Sequence, residues 1–146
     1  MSLKIAIAQI NATVGDFAGN RARILDFAER ARQQGADLLL TPELALCGYP
    51  PEDLLLRPDF CETCERELDA LANSLQGIAV LVGHPEKRDS HCYNAATLLN
   101  DGQRLATYYK QRLPSYEVFD EERYFDSGDG PCVLTLKGIR CGVNIC

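Results

Sequence analysis

Three residues of complementary chemistry, Glu43, Lys110 and Cys146, each follow or end an apolar run of the chain. A thiolate attacks carbonyl carbon, but it needs a base to take its proton and a cation or N–H donors to hold the oxyanion that forms. Glutamate can be that base and lysine that cation. Each residue also has a plainer explanation: Glu43 can cap a turn, Lys110 can be a solvated hairpin charge, and Cys146 can be a small core residue. The joint pattern carries more weight, because α/β sheets commonly place ligand sites at strand ends.

The elements that must position these residues can be read from apolar spacing. Leu3 to Ile10 is expected to be a central strand covered on both faces. Asn11 to Asn20 reads as a loop, after which Ile24, Phe27, Ala28 and Ala31 recur at helical spacing until Gly35 stops the helix. Asp37 to Leu40 is a short buried strand ended by Thr41-Pro42, which displays Glu43. A turn-rich segment with Gly48, Pro50 and Pro51 follows. A second helix starts near Pro58, carries Phe60, Cys64, Leu68, Leu71 and Leu75 on one stripe, and ends at Gly77.

Ile78 to Val82 is a further strand, with Gly83-His84-Pro85 opening a turn. Tyr93 to Leu99 and Gln103 to Tyr109 form a hairpin across Asn100-Asp101-Gly102, whose Asp-Gly pair suits positive φ, and Lys110 ends it. From Gln111 to Gly130 the chain is aperiodic, aromatic and acidic. A loop near that length inside a compact domain is more often functional than idle. Cys132 to Leu136 and Ile139 to Ile145 form a second hairpin that delivers Cys146. The order predicts an α/β protein, a mixed sheet with helices on one face.

The 146 residues have 46% hydrophobic and 25% charged content, as a globular domain does. A net charge of -6 without a basic cluster argues against nucleic acid or an anionic membrane surface as partner. No apolar stretch is long enough to span a bilayer and the first strand lacks signal-peptide features, so a cytoplasmic protein is expected. Seven cysteines, an odd number, favour reduced thiols.

TPELALCGYPPEDLLLRP, KQRLPSYEVFDEERYF and GVNIC resemble, in order and interval, the three signature blocks of the nitrilase superfamily of carbon-nitrogen hydrolases. The wording GYPPEDLL and VFDEERYF is closest to the glutaminase domain of glutamine-dependent NAD synthetases. The resemblance implies the first half of a nitrilase-like αββα sandwich, with residues 1-146 an incomplete glutaminase domain that ends at its nucleophile. It implies Glu43 as general base, Lys110 as stabilising cation and Cys146 as nucleophile, with Tyr49, Tyr116, Phe119 and Glu121 lining the pocket for L-glutamine. It further implies a C-terminal synthetase domain that uses ATP and Mg, a homo-oligomer when complete, and no cofactor or metal for the glutaminase part.

Two departures from the family pattern stand out. Ser115 replaces a frequent asparagine, and the acidic residue whose N–H helps form the oxyanion hole is expected after Cys146. The 146-residue chain by itself is therefore expected to have little activity. The alternatives are a stand-alone nitrilase-family amidase and a non-catalytic half-domain that pairs with another chain.

Other features are discounted. Cys61 and Cys64 fit the apolar stripe of the second helix, and no second ligand pair accompanies them. His84 and His91 are expected at the surface or in a turn. Neither a dinucleotide fingerprint nor a P-loop is present.

Overall fold

The computed structural model describes residues 1–146. One sheet has the order β1 (Ile5–Ile7), β2 (Leu38–Leu40), β3 (Ala79–Arg88), β4 (His91–Asn100) and β5 (Gln103–Tyr109). The β1–β2 and β2–β3 pairs are parallel, and the β3–β4 and β4–β5 pairs are antiparallel, so the sheet is mixed. Parallel pairs need crossover connections, which α1 (Phe17–Gln33) and α2 (Pro58–Ser74) supply. A separate hairpin joins β6 (Cys132–Leu136) to β7 (Ile139–Val143).

Side-chain alternation along the strands divides them between two cores. Leu39, Val80, Val82 and Leu99 pack with Ile24 and Ala28 of α1 and with Leu68 and Leu71 of α2. Leu38, Ala79 and Leu98 face the other way, onto Leu134 and Leu136 of the β6–β7 hairpin. Both helices thus cover one face and the hairpin covers part of the opposite one. Leu68 and Leu71 are fully buried, and each such burial stabilises by about 2 kcal/mol.

Local chemistry sets the element ends. The Asp16 carboxylate accepts the Gly19 N–H at 3.0 Å, so α1 opens at Phe17, inside the stretch expected to be loop. Pro58 occupies the first turn of α2, where its missing N–H costs nothing. The β4–β5 hairpin turns on Asp101 at φ 49° and Gly102 at φ 77°, as the Asp-Gly pair predicts.

Three expectations are corrected. β1 is an edge strand, not a central one, and Ile5 and Ile7 are 47% and 72% exposed. Ala6 and Ala8 meet the helix-side core, whereas the hairpin does not extend over the isoleucines. His84 is neither in a turn nor at the surface, because β3 runs on through Pro85 to Arg88. Past Leu81 that strand has lost its β2 neighbour, and an edge position tolerates a proline. His84 is fully buried, its Nε2 lies 2.7 Å from Thr97 Oγ1, and burial pushes its pKa down to about 4. Finally, β7 stops at Val143, so Asn144 to Cys146 form an irregular tail rather than a strand end.

Candidate active site

Glu43 is placed by the first residues beyond β2. Thr41 donates its N–H to Leu81 O at 3.1 Å, and its hydroxyl accepts the Gly83 N–H at 3.1 Å. Leu46 N–H in turn donates to Gly83 O at 3.1 Å. The loop therefore lies directly on the backbone of β3. From the other side Asn20 of α1, fully buried, donates to Leu46 O at 3.1 Å and to Thr13 O at 2.8 Å. Held between sheet and helix, the Glu43 side chain keeps 27% of its surface exposed.

Lys110 follows β5, and its N–H donates to Asn94 O at 2.8 Å, which carries the β4–β5 pairing past the last strand residue. Its side chain is 1% exposed. Nζ donates to Glu43 Oε1 at 2.6 Å and to Glu121 Oε1 at 3.1 Å, and Glu121 Oε2 lies at 3.0 Å. Burial disfavours the ammonium charge, but the hydrogen bonds and charges of Glu43 and Glu121 outweigh it and hold the Lys110 pKa above its ordinary value. Burial also raises the Glu121 pKa, against the opposing pull of Lys110. One cation thus binds two carboxylates, a charge set that is costly to break once desolvated.

Cys146 reaches this cluster through its tail. The Tyr108 hydroxyl donates to Asn144 Oδ1 at 3.0 Å, and Ile145 packs with Ala96 and Tyr108. Lys110 lies two residues beyond Tyr108, just past the end of β5, so the tail anchored by Tyr108 arrives near Lys110. Cys146 is exposed, and a cavity of about 720 Å³ is lined by Glu43, Lys110 and Cys146 together.

The four expected pocket residues line the same cavity. Tyr116 is exposed and Phe119 half-buried, with ring centroids 5.8 Å apart. The Tyr49 hydroxyl donates to Glu121 Oε1 at 3.4 Å, and burial together with the nearby Glu121 and Glu43 charges raises its pKa. Glu121 differs from the other three in being 7% exposed and committed to Lys110.

Asn94 was not among the candidates, yet its Nδ2 donates to Glu43 Oε1 at 2.6 Å. An amide set among the buried alanines and leucines in the middle of β4 is the signal that could have found it. Tyr108 and Asn144 left no such mark, since their pairing depends on how the tail crosses β5. Cys61 and Cys64 both sit on the buried side of α2, and no group of three or more His, Cys, Asp or Glu side chains is arranged to hold a metal ion. No helix is long and apolar enough to cross a membrane.

Residues 4–146 match the carbon-nitrogen hydrolase family. The chain belongs to that family. It is 49% identical over 149 residues to a glutamine-dependent NAD(+) synthetase of Xanthomonas campestris, covering 99% of this chain and 27% of that protein. The chain thus spans about a quarter of the length of this relative. Among solved structures, this carbon-nitrogen hydrolase chain superposes on a glutamine-dependent NAD+ synthetase from Acinetobacter baumannii with a TM-score of 0.95 at 37% identity, covering 100% of this chain and 28% of that one. An amidase from Nesterenkonia sp. superposes with a TM-score of 0.85 at 32% identity, covering 99% of this chain and 55% of the amidase. A mutant of that amidase carries the acetamide moiety of fluoroacetamide at its active-site cysteine.

Proposed function

We propose that this chain carries the hydrolysis of the glutamine side-chain amide, and that the whole protein uses the released ammonia in ATP-dependent NAD synthesis. The observation that carries the chemistry is the 2.6 Å contact between Lys110 Nζ and Glu43 Oε1, at the wall of a cavity that Cys146 also lines. Glu43 takes the thiol proton, and the Cys146 thiolate attacks the amide carbon, with Lys110 among the groups that stabilise the oxyanion. Glu43 then passes that proton to the departing nitrogen, ammonia leaves, and a thioester to Cys146 remains. Water deprotonated by Glu43 attacks the thioester, releases glutamate and returns the proton to sulfur.

The glutamine preference rests on the resemblance to NAD synthetases and on Tyr49, Tyr116, Phe119 and Glu121 around the cavity. Glu121 gives an anionic wall that suits the substrate ammonium, although its nearest cation is already Lys110. ATP and Mg belong, on this reading, to a synthetase domain. The likeness to the Nesterenkonia amidase favours a second reading, hydrolysis of simple amides without a synthesis partner.

The test is glutamate release and NAD formation by the whole protein. Cys146→Ala should stop both with glutamine as the nitrogen source and leave NAD formation from free ammonia intact. Loss of the ammonia-driven reaction as well would count against the assignment. Turnover of acetamide in preference to glutamine would favour the amidase reading.

A further inference from the structure

Of the three charged side chains in the cluster, Asn94 connects two, Glu43 through its side chain and Lys110 through its backbone. It is fully buried, on the face of β4 that also carries Ala96 and Leu98. Its C=O accepts the Lys110 N–H at 2.8 Å, and its Nδ2 donates to Glu43 Oε1 at 2.6 Å. Lys110 Nζ reaches the same Oε1, also at 2.6 Å. The circuit closes on itself: Lys110 backbone to Asn94, Asn94 amide to Glu43, Glu43 to the Lys110 ammonium. The amide has one workable orientation, since turning it over would set its carbonyl oxygen against a carboxylate oxygen at that distance.

We infer that Asn94 is a positioning residue for the proposed amide hydrolysis, one that selects which Glu43 oxygen acts as the base. An oxygen that already accepts two N–H donors has its lone pairs engaged and is a poor place for a proton. Oε1 is that oxygen. Oε2 then takes the proton from the Cys146 thiol and returns it to the leaving nitrogen, as N–H to Oε1 bonds stay in place throughout. Two fixed donors also stop the carboxylate from rotating, so Oε2 keeps one direction toward the cavity.

The inference rests on the hydrolytic reading above, and the experiment separates the two. In the whole protein, Asn94→Leu removes the donor at similar volume and Asn94→Asp sets a carboxylate against Glu43. Asn94→Leu should lower kcat for glutamine about 10- to 100-fold, with KM within about 2-fold, because the base is misdirected while the pocket is kept. Asn94→Asp should lower kcat at least as far, because a carboxylate there repels Glu43 instead of donating to it. Alkylation of Cys146 by iodoacetamide should slow in both variants, because the base no longer faces the thiol.

An active wild type with both variants folded and their kcat and alkylation rates unmoved overturns the inference alone. If Asn94→Leu does not fold, an unmoved Asn94→Asp kcat still overturns it. Absence of any glutamate release by the wild type, with Cys146 alkylated no faster than an ordinary thiol, overturns the hydrolytic reading and this inference with it.

Discussion

Gly83 lies beneath the backbone that carries Glu43, so close that a Cβ at Gly83 would stand 2.5 Å from Pro42 O and 2.6 Å from Leu44 N. Glu43 is therefore held by main-chain contact with β3, and a hydrogen at position 83 is the only side chain that fits. Gly83→Ala should push the Thr41–Leu46 loop outward. The expected result is a fall of about 100-fold in glutaminase kcat, the usual effect of a displacement near 1 Å, together with a loss of about 1–3 kcal/mol of stability. Steady-state kinetics and urea unfolding of the variant check both.

Lys110 is enclosed by two carboxylates, so its removal leaves them facing each other. Lys110→Met should abolish glutamine hydrolysis and cost about 3–5 kcal/mol, as breaking a buried pair does. Adding Glu121→Gln should recover part of that stability but none of the activity, which a double-mutant cycle measures. The sign of the pH effect follows from the raised Lys110 pKa. Its contribution is fully present below the ordinary lysine value of about 10.4 and is lost as pH rises through the higher folded value. Between pH 7 and 9 the wild-type advantage over Lys110→Met should be constant.

His84 should make the fold sensitive to mild acid. Its pKa falls from 6.5 to about 4 on burial, so the unfolded chain takes up the proton first as pH drops. Stability is undiminished above 6.5, declines between 6.5 and about 4, and levels off below. At pH 4.5 the penalty should approach about 3 kcal/mol relative to neutral pH. Chemical denaturation of wild type and His84→Gln at several pH values tests this, since the variant should lose that part of the slope while its carboxylates titrate as before.

Tyr108 anchors the tail that bears Cys146. Tyr108→Phe removes the 3.0 Å hydrogen bond to Asn144 and should cost about 1 kcal/mol. Its larger effect should be on Cys146, whose alkylation by iodoacetamide should slow as the tail loses its seat. Unchanged kinetics of alkylation and of glutamate release would show that Ile145 alone seats the tail.

Much of this was legible in the sequence because it is periodic or punctuated. Phe60, Cys64, Leu68 and Leu71 mark the buried stripe of α2 by spacing alone, and Asp101-Gly102 declares its turn by the φ values that only such residues adopt readily. His84 and β1 misled for the opposite reason. A proline reads as a turn unless one knows that its strand has become an edge, and an apolar run does not say how many neighbours cover it.

The sequence by itself determined the residue types and the delivery of two of them just past strands, Glu43 after β2 and Lys110 after β5, whereas Cys146 sits in a tail beyond β7. Those follow from short-range patterns, since where a strand stops depends on a few neighbouring residues. Only the tertiary structure decided that Lys110 is shared by Glu43 and Glu121, that Asn94 contacts both Glu43 and Lys110, and that Gly83 sets the height of the Glu43 backbone. Such contacts join residues 51 and 67 positions apart, and their distances depend on how sheet, helices and hairpin pack around one another. Chemistry at the site needs ångström-scale placement, and that is a property of packing rather than of spacing.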